Sequence, residues 1–206
     1  MEIDLIPDIV VGRLPRYLQA LQRMAEEAKI ATSSQELGDR LGISAAQIRK
    51  DLSQFGEFGK QGTGYAIPFL IDQLEAILKI KRFWDIVLVG AGDLGHAIAR
   101  YQGFANRGFR VSMVFDNDSS KIGAKIDHFI IQDIANLEKL VQESGITVAM
   151  LTVPASAAQS VSNRLVKAGI KAILSYAPTP LNLPDGIHVE YIDPLIQLQH
   201  MTYYLG

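Results

Sequence analysis

Apolar residues early in the chain recur at helical spacing. Leu14, Leu18, Leu21, Ala25 and Ala28 follow at intervals of four, three, four and three, which puts them on one helical face. Pro15 suits a first turn, so the pattern predicts a helix from about Pro15 to Ala28. Residues 1–11 show no clear period and read as a lead-in. Ser33 with Glu36 and Ser44 with Gln47 have capping-box spacing, each opening a short helix. The first carries Leu37 and Leu41 inward and closes at Gly42 as a C-cap. The second runs through Ile48 to Phe55. Two short helices joined by a glycine turn, after a first helix, predict a helix-turn-helix. Phe58 to Tyr65 is glycine-rich with a basic tip and predicts a hairpin, hence a wing. From Pro68, the residues Phe69, Leu70, Leu74, Ile77 and Leu78 predict a connector helix ending near Phe83-Trp84, packed on its apolar face.

The period changes at Asp85. Ile86-Val87-Leu88-Val89 is a buried strand entering Gly90-Ala91-Gly92-Asp93-Leu94-Gly95, and a helix follows from Leu94 to Ala105. Strands are expected at Phe109–Asp116, His128–Ile131, Ile146–Val153, Lys171–Tyr176 and Ile187–Ile192, with helices at Ile134–Ser144 and Ser156–Ala168. This alternation predicts an α/β fold with a doubly wound parallel sheet. Asp193-Pro194 then opens a terminal helix whose apolar residues Leu195, Ile196, Leu198, Met201, Tyr203, Tyr204 and Leu205 wrap around most of its circumference. Such a helix must be buried. Two burials fit the pattern equally: its own core, or a partner subunit in a domain-swapped, two-fold dimer. The expected organisation is residues 1–84 as a winged-helix domain with its connector, 85–192 as the sheet domain, and 193–206 as a dimerisation helix.

Composition narrows the class. The chain has 206 residues, 48% apolar and 20% charged, as in globular proteins. No apolar run approaches the roughly 20 residues of a membrane span, and no secretory signal is visible at the N-terminus, so a cytoplasmic protein with no membrane partner is expected. Zero cysteines exclude disulfides and thiolate metal sites. His96, His128, His188 and His200 form no pair at metal-ligand spacing, so no metal is expected. Residues 1–78 carry 8 Lys+Arg against 11 Asp+Glu, a weak electrostatic footprint for nucleic acid; a helical docking domain is the competing reading of this half. Locally, Arg49, Lys50 and Lys60 stand against Asp51 and Glu57.

The glycine turn carries the candidate chemistry. A strand, then Gly-x-Gly-x-x-Gly, then a helix is the context of a Rossmann-like dinucleotide site. Gly90 permits the tight turn, Gly92 lets backbone approach a pyrophosphate, and Gly95 lets helix and strand pack closely. The helix N-terminus offers N–H groups to phosphates. Gly90, Ala91, Gly92, Asp93, Leu94 and Gly95 are therefore candidate cofactor residues. Asp116, 21 residues beyond Gly95, ends a strand where a carboxylate binds ribose hydroxyls; its charge and the lack of a following arginine favour NAD over NADP. Thr152, Val153 and Pro154 end another strand and are a candidate wall for the nicotinamide. In the winged helix, Gln47, Arg49, Lys50 and Ser53 are candidates to face a major groove. Lys60 and the backbone of glycines such as Gly62 are candidates for phosphate or minor-groove contact. A small NAD-dependent oxidoreductase with an accessory helical domain is the main alternative, weakened by the lack of any recognisable catalytic acid or base. A winged-helix regulator sensing coenzyme A or ATP is another.

The chain closely resembles the Rex family of redox-sensing bacterial repressors. The resemblance rests on Arg13-Leu-Pro-Arg-Tyr17, Ser44 through Tyr65, Val89 through Gly95, Tyr101-Gln-Gly-Phe104, Lys121-Ile-Gly123, Val153-Pro-Ala155, Ala168-Gly-Ile-Lys171 and the Ala177-Pro178 region. It implies a homodimer, not an enzyme, that binds palindromic double-stranded operator DNA when NADH is scarce and is released by NADH, with NAD⁺ bound more weakly. It adds Arg13, Arg16 and Ser44 to the DNA-binding set, and implies exchange of the C-terminal helix between subunits. It also implies a switch in which Asp193 pairs with Arg16 in one state or hydrogen-bonds Tyr101 in the other. Gln61, in the wing, stands where the family usually has arginine, and Pro194 where it usually has a bulky apolar residue. The first departure is expected to weaken DNA contact.

Overall fold

The computed structural model describes residues 6–59 and 64–205. The chain divides into two compact units, the first ending at Arg82 and the second beginning at Phe83.

The first unit is helical. Its elements are α1 (Asp8–Val11), α2 (Leu14–Glu26), β1 (Ala31–Thr32), α3 (Ser34–Leu41), α4 (Ala45–Ser53), β2 (Tyr65–Ala66) and α5 (Ile67–Ile77). Four helices bury one apolar core. Leu14, Tyr17, Leu18, Leu21 and Met24 come from α2, Leu37 from α3, Ile48 and Leu52 from α4, and Ile67, Leu70 and Leu74 from α5. The predicted caps form. Ser33 Oγ accepts the Glu36 N–H at 3.1 Å and Ser44 Oγ accepts the Gln47 N–H at 3.2 Å. The reciprocal halves of the boxes do not: the Glu36 side chain turns to Lys29 and Thr32, and that of Gln47 to Asp51. Gly42 closes α3 in the left-handed region at φ 67°. A Cβ on Gly38 would lie 2.4 Å from the Ile43 carbonyl oxygen, so this glycine lets α3 and the start of α4 approach.

The wing is only partly as expected. Tyr65–Ala66 pairs antiparallel with Ala31–Thr32, the segment before α3. A Cβ on Gly59 would sit 2.6 Å from the Gly64 carbonyl oxygen, so the two limbs close on each other. Lys60, Gln61 and Gly62 lie outside the described residues.

The second unit holds β3 (Trp84–Val89), α6 (Asp93–Arg100), β4 (Phe109–Asp116), β5 (Lys125–Ile126), β6 (Phe129–Asp133), α7 (Leu137–Ser144), β7 (Val148–Leu151), α8 (Ala155–Lys167), β8 (Ala172–Ser175), β9 (His188–Tyr191) and α9 (Pro194–Thr202). One sheet runs in the order β5-β6-β4-β3-β7-β8-β9. All neighbours are parallel except the β5–β6 hairpin. Alternate residues of β3 and β7 bury opposite faces: Val87, Val89, Ala149 and Leu151 pack with α7 and α8, while Ile86, Leu88 and Met150 pack with α6. Both faces being covered explains the unbroken apolar runs.

Three local expectations change. The helix expected from Leu94 to Ala105 stops at Arg100; Tyr101 is extended (φ −75°, ψ 107°), and a 3₁₀ turn occupies Gln102–Arg107. The Tyr101 ring packs over Gly103, where a Cβ would lie 2.4 Å from the ring, and meets Phe104 edge-on at 5.1 Å. Second, β5 is an additional edge strand, turned back through Asp127 at φ 54°. Third, Ile134–Asn136 forms a 3₁₀ turn before α7. Among the described residues no helix is long and apolar enough to cross a membrane.

Candidate dinucleotide cleft and nucleic-acid interface

The sheet order places the cleft. The chain runs β3 to β4 to β6 on one side, then returns to β7 beside β3 and continues outward through β8 and β9. The reversal lies between β3 and β7, and ligands of open α/β sheets bind at the carboxyl ends flanking such a point. A cleft of about 790 Å³ opens there. It is lined by Gly90, Gly92 and Leu94 from the turn, by Asp116, Asn117, Asp118 and Lys121 after β4, and by Thr152, Val153 and Pro154 after β7, with Ile134, Arg164 and Tyr176 further out.

The three glycines meet different surroundings. Gly90 sits at φ 106°, and a Cβ there would meet the Thr152 carbonyl oxygen at 2.6 Å. A Cβ on Gly95 would lie 1.9 Å from the Gly90 carbonyl oxygen, so only glycine lets α6 begin this close to its strand. Nothing lies within 4 Å of the Cβ position of Gly92. Its bare face opens on the cleft beside the start of α6, and no side chain caps that helix. Of the other turn residues proposed from sequence, Leu94 lines the cleft, whereas Ala91 is buried.

Asp116 is buried at the end of β4 and bonded to the turn itself. Its Oδ2 accepts the Ala91 N–H at 2.6 Å, and its Oδ1 accepts the Asp118 N–H at 2.9 Å. The carboxylate that reads ribose hydroxyls in such folds therefore also staples the glycine turn to β4. Lys121 Nζ lies 3.5 Å from Asp116 Oδ2 and 3.8 Å from Asp118 Oδ2. An arginine directly after the acid is the signal the sequence lacks; Lys121, five residues on in the Lys121-Ile-Gly123 motif, stands there instead.

On the β7 side, the Thr152 hydroxyl donates to the Gly90 carbonyl at 2.8 Å. It latches the two strand ends together, and Val153 and Pro154 supply the neighbouring wall. Arg164 was not foreseen. It holds Glu138 through two bonds of 2.6 Å and donates to the Ile134 carbonyl at 2.7 Å, which fixes the 3₁₀ turn at one end of the cleft. The Arg164 guanidinium holds the Glu138 carboxyl down to about 2. Burial pushes the Tyr176 phenol up.

In the first unit, α4 buries Ile48, Asp51 and Leu52 and exposes Arg49, Lys50 and Ser53. Arg49 Nη1 donates to Ser34 Oγ at 2.8 Å, and Ser53 Oγ donates to the Lys50 carbonyl at 2.9 Å. Exposed Arg16 donates from Nη2 to the Leu41 carbonyl at 3.2 Å. Arg13 and Gln47, expected to face DNA, both turn to Asp51. This acid counted against a DNA-binding surface in the sequence. It is fully buried and paired, so it does not oppose the cations on the outer face.

The residues implied as a switch sit in ordered local settings. Tyr101 is more than half exposed just after α6. Asp193 caps α9, its Oδ1 accepting the Leu195 N–H at 2.9 Å. Helix α9 buries no residue of its own, and Leu195, Ile196, Leu198 and Met201 are each more than half exposed. Among the described residues no cluster of three or more His, Cys, Asp or Glu could hold a metal ion.

Two family descriptions match the two units: "Putative DNA-binding protein N-terminus" over residues 5–53 and "CoA binding domain" over residues 81–179. The redox-sensing transcriptional repressor Rex of Roseiflexus sp. (strain RS-1) is 53% identical over 97% of this chain and 91% of its own length. The crystal structure of RSP in complex with β-NAD⁺ and operator DNA superposes with a TM-score of 0.92 at 35% identity, covering 98% of this chain and 93% of that one. RSP in complex with β-NADH gives 0.90 at 33% identity, covering 98% and 94%. A glycine cradle facing a buried strand-end carboxylate, a helix-turn-helix with outward cations, and full-length similarity at this level agree: the chain belongs to the Rex family of redox-sensing transcriptional repressors.

Proposed function

We propose that the protein represses transcription by binding a palindromic operator when NADH is low, and that NADH binding releases it. The observation that carries this reading is the Asp116 carboxylate set against the glycine turn, 2.6 Å from the Ala91 N–H, in a unit that follows a helix-turn-helix. NADH and NAD⁺ are the effectors. Gly90, Ala91, Gly92, Asp93, Leu94 and Gly95 form the pyrophosphate cradle, Asp116 takes the ribose, and Thr152, Val153 and Pro154 form the nicotinamide wall. Open space at Gly92 and a cleft lined by Gly90, Gly92, Leu94, Asp116, Thr152, Val153 and Pro154 support this assignment.

Ser44, Arg49, Lys50 and Ser53 of the recognition helix, with Lys60, Gln61 and Gly62 of the wing, form the operator surface. Arg13, Arg16 and Gln47 belong to the same surface, by touching DNA or by holding the helix that does. Residues 1–84, 85–192 and 193–206 act as DNA-binding, dinucleotide-binding and dimerisation segments. The exposed apolar circumference of α9 supports its exchange with a second copy. Asp193 exchanges Arg16 for Tyr101 as the dimer changes state. A regulator of genes by free NADH works in the cytoplasm.

Effector identity is tested by calorimetric titration with NADH, NAD⁺, NADPH and coenzyme A. The reading expects NADH to bind most tightly. Tighter binding of coenzyme A, after which one matching family is named, would overturn it.

A further inference from the structure

Among the described residues of the first unit, one carboxylate is fully buried: Asp51, in the middle of the recognition helix. A buried carboxylate is tolerated when its charge is paired and its lone pairs are filled, and both conditions hold here. Oδ2 accepts Arg13 Nε at 2.6 Å and the Tyr17 hydroxyl at 2.6 Å. Oδ1 accepts Arg13 Nη2 at 2.8 Å and Gln47 Nε2 at 2.6 Å. Burial pushes this carboxyl up, and the bonds from Arg13, Tyr17 and Gln47 outweigh it and hold the acid below its ordinary range. Burial and the Asp51 bond push the Tyr17 phenol up to about 12, so it stays a donor.

Apolar packing by Ile48 and Leu52 pulls α4 onto the core, but that force is non-directional. Hydrogen bonds are directional. Three of them reach Asp51 from α2, two from Arg13 and one from Tyr17, and fix the rotation of α4 about its axis, and hence where Arg49, Lys50 and Ser53 point; the fourth, from Gln47 one turn back on α4 itself, fills Oδ1 and holds the carboxylate rotamer. Arg13 stands at the start of α2 with its side chain only 19% exposed, and two of its three nitrogens are committed to Asp51.

We propose that Asp51 is the anchor that sets the recognition helix, and that Arg13, Tyr17 and Gln47 are positioning residues that act on operator binding through it rather than by touching DNA. This rests on the operator-binding reading above.

The test separates contact from positioning by salt dependence. A cation on a phosphate contributes about one unit of counterion release, so its removal flattens the log K against log[salt] slope by about one. Operator and non-specific DNA affinities are measured on the full chain across salt for Arg13→Ala, Tyr17→Phe, Gln47→Ala and Lys50→Ala. Lys50→Ala is expected to flatten the slope by about one. Arg13→Ala leaves the Asp51 carboxylate without its cation and is expected to lose roughly tenfold or more in operator affinity, about one hydrogen bond to a charged group, with the slope unchanged and the ratio of operator to non-specific affinity reduced. Tyr17→Phe, which keeps the ring in the core, loses about three- to tenfold for one buried hydrogen bond, again with slope unchanged and ratio reduced. Gln47→Ala shows the same pattern more weakly.

In a variant shown to be folded, an equal fall in both DNA affinities, with their ratio intact, overturns the proposal. A slope flattened by one in Arg13→Ala also overturns it, since Arg13 then touches phosphate. If Arg13→Ala does not fold, Tyr17→Phe decides by the same ratio. NADH affinity is unchanged throughout if the second unit is intact. Failure of the wild-type chain to prefer an operator overturns the function reading instead.

Discussion

Replacing Gly92 by alanine adds one methyl group where nothing lies within 4 Å. The backbone there is extended, at φ −81° and ψ −171°, a region open to any residue. Two stability effects oppose each other. Alanine is a poorer N-cap than glycine by about 1 kcal/mol, while removing a glycine restrains the unfolded chain and returns about 0.4–1 kcal/mol. The net is within about 1 kcal/mol, a melting shift of no more than ~4 °C for a chain this long. The same methyl faces the cleft, where the proposed cradle brings the pyrophosphate against backbone. Losing one charge-assisted hydrogen bond from the α6 N-terminus, about 1.5–3 kcal/mol, lowers NADH affinity by roughly 10- to 150-fold. Gly95→Ala is the contrast: its methyl would lie 1.9 Å from a backbone oxygen, and the second unit is expected to lose stability outright. Calorimetric NADH titration and thermal unfolding of both variants make the comparison. Gly92→Ala binding NADH within twofold of the unaltered chain, or unfolding as Gly95→Ala does, would refute the assignment of roles along the turn.

Other parts of the structure give equally specific expectations. Asp116→Ala is expected to reduce NADH affinity by about tenfold or more and, because Lys121 stands 3.5 Å away, to raise the affinity for NADPH relative to NADH; an unchanged ratio in paired titrations contradicts this. Glu138 is held down to about 2 by Arg164, so the stability from this pair is full above the unfolded pKa near 4.5 and is lost as pH falls from there toward 2. Both side chains are about a third exposed, so screening leaves roughly 1 kcal/mol. Denaturant unfolding should show Glu138→Gln less stable than the unaltered chain at pH 6 and converging with it below pH 3; a constant gap counts against the ion pair. Leu198→Glu puts a charge on the exposed apolar face of α9 and is expected to convert the proposed dimer to a monomer in sedimentation. Persistence of the dimer would remove α9 from the interface.

Local rules were the legible part of this sequence. Ser33, Ser44 and Gly42 cap their helices because short-range backbone needs dictate those residue types. The close approaches that require glycine at Gly90 and Gly95 are legible from spacing, and the place of Asp116 beside the turn from its distance along the chain. Long-range polar pairing was not legible. Arg13 and Asp51 are 38 residues apart, and periodicity tells which face is buried, not which polar group a buried acid will find. Arg13 and Gln47 therefore looked like surface groups. Lys121 reaches Asp116 only because the chain turns through Asp118 after β4, where the Ser120 N–H and hydroxyl bond its carboxylate. The end of α6 was hidden for a related reason. No proline marks it, and the break is stabilised by the Tyr101 ring lying on Gly103.

In the proposed function, one chain couples the redox state of a dinucleotide to DNA. Its most direct test is the anisotropy of a labelled palindromic operator with the full chain, at stated salt and a fixed total of NADH plus NAD⁺, as the NADH fraction is raised. Operator binding is expected at low NADH fraction and progressive release as it rises, with Gly92→Ala remaining bound. Operator binding indifferent to the NADH fraction would contradict it.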